Sequence, residues 1–258
     1  MRKLGVGCLA ALLVAGCATM YELPGVKRAV DAGPDAFLEQ AVVGPQGDGT
    51  YVVPTTQVLD PAGTTVRFPG RPVDIAVHPN GRLLAIKNRT DVVFFDARDC
   101  RVVQTLAMPK GGSAYCGIKW SADGMRVWTT AAEAAIHCAE RGQDGAFAWV
   151  KTVPLPGPGG KGDSAPGGFA LDVANRVLYV ALSRNNSVGV VDAASGEIEV
   201  EIPVGIAPYD VMLHGGKAYV TNWGGRRPTP DDRTGPSSGS RVVVDAAGIA
   251  STGTVSVI

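Results

Sequence analysis

The stretch "APGGFALDVANRVLYVALSRNNSVGVVDAASGEIEVEIPVG", residues 165–205, decides the fold. It holds four short apolar or β-branched runs separated by turn chemistry. "DVANR" at 172 divides the first run from the second. "SRNNS" at 183–187 leads into "VGVVD", a β-branched third strand. "DAASGE" starts with Asp, ends with a Gly-Glu pair and feeds the fourth run, "IEVEIPV". Runs of four to seven residues bounded by Gly, Asn, Asp and Ser clusters are strands.

The unit recurs. "RPVDIAVHPNGRLLAIKNRTDVVFFDARDCRVVQTL" covers 71–106, "SAYCGIKWSADGMRVWTTAAEAAIHCAERG" starts at 113, and "APYDVMLHGGKAYVTNWGG" starts at 207. The turns "HPNGR", "SADGM", "DVANR" and "LHGGK" begin at 78, 121, 172 and 213, which are 43, 51 and 41 residues apart. A period near 40–45 residues with four strands per repeat is the signature of β-propeller blades. The expected fold is therefore all-β, a β-propeller of four-stranded antiparallel blades, with about 4–5 blades present. The runs "VDIAV" and "LLAI" have the length of strands buried on both faces. No segment after 50 keeps a 3.6-residue period for three turns. The alanine-rich "TAAEAAIHCAE", 130–140, is the nearest rival to that reading: its composition suits a helix and its repeat phase a third strand, and both stay open.

Composition agrees. Hydrophobic residues make up 45% of the chain beside 34 Gly and 18 Pro, a combination of many short strands and many turns. Lys plus Arg and Asp plus Glu number 24 each, so the formal charge is zero, which argues against nucleic acid as a partner. The N-terminus reads differently. Arg2 and Lys3 precede the apolar "LGVGCLAALLVAGC", too short for a stop-transfer helix and right for a secretory signal. Its end, "VAGC", resembles the lipobox of bacterial lipoproteins. That resemblance implies a signal peptide over 1–16 and lipidation at Cys17. It also implies a membrane partner reached through that lipid and a place in the bacterial cell envelope, periplasmic or at the surface. Residues 17–48 then form a tether with a short helix near Asp35–Ala41, and 49–258 form the propeller. In an oxidising compartment Cys100, Cys116 and Cys138 leave room for one disulfide with at least one thiol unpaired, and buried thiols in strands fit the count as well.

"KAYVTN", preceded by "VVDAASGEIEVEIPVGIAPYDV", resembles the YVTN family of propeller repeats over roughly 70–258. More narrowly, 205–258, with "NWGGRRP" and "GIASTGTVSVI", resembles the propeller half of proteins that join a YncE-like propeller to an alkaline-phosphatase-type phosphoesterase domain. The resemblance implies a ring usually of seven blades, so the chain is expected to stop inside a blade, at its third strand. Residues 49–70 are expected to supply an outermost strand.

In such a blade the first-to-second and third-to-fourth turns share one face, and here they are short. The other face carries the second-to-third turns and the blade links, which are longer and richer. Loops on a rigid scaffold are where binding resides. The candidate binding residues are Arg71, Asn88, Arg89, Arg184, Asn185, Tyr209, Asn222, Trp223, Arg226 and Arg227. Structural roles compete for each. Asn after a second strand satisfies turn backbone, Arg226 and Arg227 lie near Asp231 and Asp232, and Trp223 can stack on a ligand or anchor its loop. Asp74 and Asp210 share one repeat position, which favours a role in building the blade. His78 and His214 share another and are expected to face solvent. "GGKGDS", 159–164, lacks the GxxxxGK(S/T) spacing, and no G-x-S-x-G or HExxH is present. The expectation is a binding module with no catalytic residue, no metal ligand and no cofactor. Its partner is a ligand or protein held on the long-loop face. The alternatives are the propeller portion of a bifunctional phosphoesterase or a lactonase-like enzyme.

Overall fold

The computed structural model describes residues 42–258 apart from Val173 and Asn175. The signal, Cys17 and the helix expected near Asp35–Ala41 lie outside the described residues. The chain divides into two compact units between Arg67 and Phe68. In the first, β1 (Gly44–Pro45), β2 (Tyr51–Val52) and β3 (Val58–Leu59) pair as one small antiparallel sheet. This differs from the outermost strand expected over 49–70. A turn at Thr56, with φ 63° and its amide bonded to the Val53 carbonyl, folds β3 back onto β2, so the segment satisfies its own backbone.

In the second unit, β4 (Asp74–Val77), β5 (Leu83–Lys87), β6 (Asp91–Asp96) and β7 (Arg101–Ala107) form the first blade in simple meander order. The second blade is β8 (Ser113–Trp120), β9 (Arg126–Ala131), β10 (Ala135–Arg141) and β11 (Phe147–Pro154). The third is β12 (Pro166–Asp172), β13 (Val177–Leu182), β14 (Ser187–Asp192) and β15 (Ile198–Pro203). The fourth has β16 (Pro208–His214) and β17 (Lys217–Asn222). A separate hairpin of β18 (Thr234–Ser237) and β19 (Ser240–Val243) then intervenes before β20 (Thr254–Val257) pairs with β17. All pairings are antiparallel. The β16–β17 turn is Gly215–Gly216, both at positive φ, the conformation a two-residue hairpin loop requires.

Within the alanine-rich 130–140, β9 ends at Ala131, 132–134 turn, and the third strand that the repeat phase allows begins at Ala135, so no helix forms. Ala134 takes φ 56° and breaks any helical continuation, and β10 runs buried from Ala135 through Ala139 between β9 and β11. Successive blades pack face to face through apolar slabs. Phe94 of the first blade stacks on Phe147 of the second at 4.1 Å, with Ala85, Val92, Ile118 and Val127 around them. Trp128, Ile136 and Leu155 of the second meet Phe169, Leu178 and Leu182 of the third. Ala181 and Val188 meet Val211 and Val220 of the fourth. Strand β4 is buried on one face only. Ala76 packs toward the second blade, whereas Ile75 and Val77, pointing the other way, are 54% and 61% exposed. The period-2 alternation of a strand makes that division sharp.

Cys100, Cys116 and Cys138 are free thiols, exposed, half-buried and buried respectively. His214 is exposed, but His78 is not solvent-facing. Its ring packs edge-on against Trp120 at 4.7 Å, and its Nε2 lies 3.2 Å from the Gly124 carbonyl, closing the short turns of the first two blades against each other. Because Phe169 lies fully buried in the slab between the second and third blades, Phe169→Ala is expected to cost about 3–5 kcal/mol. Val200→Ala, on an exposed outer-strand position, is expected to stay within about 0.5 kcal/mol. Urea unfolding of both variants checks the contrast.

Candidate functional site

The inner strands of the blades meet at one repeat position, occupied in turn by Asp74, Gly117, Gly168 and Asp210. Asp74 Oδ2 accepts the Gly117 amide of the next blade at 2.8 Å, while Oδ1 accepts its neighbour's amide from Ile75. A Cβ on Gly117 would meet the Gly167 carbonyl at 2.7 Å, and one on Gly168 would overlap the Asp210 carboxylate. The two aspartates therefore build the blade contacts, and the two glycines allow the approach.

This closeness distorts the ladders. Pairing of β8 with β9 jumps between Ser113 and Ile118, that of β12 with β13 between Pro166 and Phe169, and that of β16 with β17 between Pro208 and Asp210. Such bulges leave backbone groups unpaired and re-aim side chains. At the first of them the Cys116 and Gly117 carbonyls accept from the Thr130 and Thr129 hydroxyls respectively, and both accept from Lys87, the last residue of β5. Its Nζ donates to Cys116 O at 2.6 Å, Gly117 O at 3.1 Å and Thr130 Oγ1 at 2.9 Å. Lys87 is 0% exposed and sits opposite Asp74 in the β4–β5 ladder. Burial pushes its ammonium down to about 7, with Asp74 and Cys116 acting in the opposite sense.

Above these bulges, on the face of the second-to-third turns and blade links, opens a cavity of about 500 Å³. Its walls come from the starts of β8, β12 and β16, the turns after β13 and β17, and the β18–β19 hairpin. Tyr209 and Trp223 lie in it as a stacked pair, ring centroids 4.2 Å apart and 10° from parallel. The segments that carry them are stitched together. Trp223 N donates to Ala207 O at 3.0 Å and Gly224 N to Ile206 O at 2.9 Å. Trp223 is 67% exposed and Tyr115, projecting from the β8 bulge, 71%. The charged side chains lining the cavity are Arg184 and Asp163, paired with each other at 2.9 Å. Ser113 Oγ is buried there with no hydrogen-bond partner. Desolvation, with Cys116 nearby, pushes the Tyr209 phenol up to about 12, and burial raises the Cys116 thiol, so both stay protonated near neutrality.

Of the residues expected at a binding face, Arg184, Tyr209 and Trp223 line this cavity. Asn88 and Asn222 do not, because both are buried in the sheets. Asn88 Oδ1 accepts the Arg71 amide at 2.5 Å, and its Nδ2 donates to Pro69 O and Asp91. Asn222 Nδ2 reaches Thr254 Oγ1 and Ser256 Oγ, holding β20 on β17. Asn185 ties Pro156 O to Glu201. Arg226 closes a bidentate pair with Asp232 at 2.6 Å. Arg227 donates to Val204 O and Asn186 O, both at 2.7 Å, clamping the inserted segment to the third blade. Arg71 and Arg89 are exposed beside the first blade, outside the cavity lining.

Two further cavities, of about 410 and 560 Å³, lie at the opposite, short-turn side, around Asp123 and Arg176 and around Arg82 and Arg141. Neither combines an exposed aromatic pair with an unpartnered hydroxyl. A hydroxyl–imidazole–carboxylate chain runs from Thr152 through His137 to Glu133, each link 2.9 Å. His137 is fully buried and none of the three cavities reaches it, so the chain ties the turn before β10 to β11. Among the described residues no cluster of three His, Cys, Asp or Glu could hold a metal ion.

Solved structures resemble this arrangement at low sequence identity. Kuenenia stuttgartiensis hydrazine synthase aligns with 20% identity and a TM-score of 0.51, over 75% of this chain and 52% of that one. The RRP9 WD40 repeats align with 15% identity and a TM-score of 0.50, over 61% and 46%, and U3-55K does so over 61% and 47%. The fold is a β-propeller. The chain spans about half the length of these structures, and identities this low speak to the fold alone. No family model and no curated protein matches the chain.

The buried lysine gives the propeller a pH signature. The native ammonium titrates near 7 and an unfolded one at 10.5, so the unfolded state holds more protons between those values. Stability is therefore expected to rise with pH across that window, by at most about 1.4 kcal/mol per pH unit. Below 7 both states hold the proton, and this dependence levels off. Urea unfolding at a series of pH values should show this rise in the parent and lose it in Lys87→Met. Equal slopes in the two would remove the buried-ammonium account.

Proposed function

We propose that this chain is a YVTN-type, YncE-like propeller that works as a ligand-binding module. In this reading it is exported to the bacterial envelope, anchored by lipid at Cys17, and performs no catalysis of its own. The observation that carries the binding role is the cavity of about 500 Å³ on the long-loop face, inside the range of about 300–1,000 Å³ of small-molecule sites. It presents the stacked Tyr209–Trp223 pair to solvent, and its ionisable groups are paired or held neutral. Support for a non-catalytic role comes from the same lining, which sets no base beside a nucleophile. The WD40 repeats among the similar structures are consistent with an interaction module.

A screen of small metabolites and glycans by thermal shift and tryptophan fluorescence tests the binding role. Hits that bind at the cavity should lose at least about tenfold in affinity in Trp223→Ala, as expected for an aromatic anchor. The variant should melt close to the parent, since the ring is mostly exposed. Hits that bind Trp223→Ala undiminished would place the ligand elsewhere. The anchor is tested separately. Cys17→Ser is expected to move the protein from the detergent phase to the aqueous phase on cloud-point partition, and an unchanged partition would defeat lipidation at that residue.

A further inference from the structure

We infer that the cavity takes a neutral sugar ring, a ligand class that rests on the binding role proposed above. Three features of the lining converge on it. The first is flat aromatic surface without charge. Tyr209 packs against Trp223, so one indole face is used and the rest of the ring stays open to solvent, and Tyr115 projects from the second blade into the same cavity. Such rings combine an apolar face with a polar edge. That suits a pyranose, whose C–H groups form flat apolar faces and whose hydroxyls ring the edge.

The second feature is a surplus of hydroxyls. Ser113 is a lining residue whose Oγ is enclosed and has no partner. Ser237, Ser238 and Ser240 line the cavity from the β18–β19 tip. Ser240 Oγ accepts from Asn186 Nδ2 at 2.8 Å, which leaves its own proton to donate. The third feature is the absence of a free cation in the lining. Arg184 is neutralised by Asp163 at 2.9 Å, so a phosphorylated or carboxylated ligand would meet no unpaired guanidinium. Aromatic faces, unpaired hydroxyls and electrical neutrality together select an uncharged polyol ring over a nucleotide, an organic acid or a wholly apolar molecule.

The test uses the full chain and defined probes. Cellobiose, maltose and N-acetylglucosamine disaccharide are titrated against tryptophan fluorescence and followed by saturation-transfer NMR. Glucose 6-phosphate, glucuronate and adenosine serve as contrasts. At least one neutral disaccharide is expected to bind saturably and tenfold or more tightly than either charged sugar. Trp223→Ala should abolish the signal, and Ser240→Ala should weaken binding about tenfold while leaving the melting temperature within a few degrees. Adenosine or another compound binding in a Trp223-dependent way, with no sugar binding, would overturn the sugar class and leave the binding role standing. Sugar binding that survives Trp223→Ala would overturn the assignment to this cavity. No Trp223-dependent ligand of any kind would overturn both.

Discussion

Four antiparallel sheets set side by side must bring their inner strands closer together than their outer ones, and this propeller depends on how that crowding is resolved. At the crowded position a carboxylate meets a glycine at two of the blade contacts, Asp74 to Gly117 and Gly168 to Asp210. The short β8 ladder that results strands two carbonyls in the interior. They are paired by Lys87, with all three ammonium protons placed, and by the hydroxyls of Thr129 and Thr130. A buried charge is expensive by itself, and the facing Asp74 offsets part of that expense.

The same crowding makes the cavity. Where the β8 and β16 ladders bulge, Tyr115 and Tyr209 are turned out of the sheets, and the small residues of β12 between them leave room. The segment inserted between β17 and β20 then supplies a wall. It is held by Arg227 on the carbonyls of the third blade and by Asn186 on Ser240. Binding surface and blade packing are thus one construction. Lys87 lies directly behind the wall that carries Tyr115 and Cys116.

Much of this was legible in the chain. The turns at 78, 121, 172 and 213 all fall between first and second strands, and the third strands "VVFFD" and "VGVVD" are β6 and β14 nearly to the residue. These features are local, with period, turn residues and β-branched runs pointing the same way. The long-loop face was legible too, because strand order alone assigns each turn to a face. Within it, Tyr209, Trp223 and Arg184 reach the cavity. For Asn88 and Asn222 the sequence left binding and backbone roles side by side, because a polar residue ending a strand looks the same whether it faces solvent or a buried backbone. Lys87, one residue before Asn88, had no signal of its own, since a lysine at a strand end is ordinarily solvated. Ser113 and Tyr115 lacked one as well, as nothing local marks a bulge.

The sequence by itself determined the repeat, the strand order within each blade and the side on which the loops gather, since each follows from residues within one unit. Tertiary structure alone decided which loops meet, which aromatic rings face solvent and which polar groups are spent on backbone. Those outcomes depend on contacts between residues some 40 or more positions apart, as between Lys87 and Thr130 or Asn186 and Ser240. The physical reason is the crowding at the inner strands, which exists only once separate blades are packed against one another.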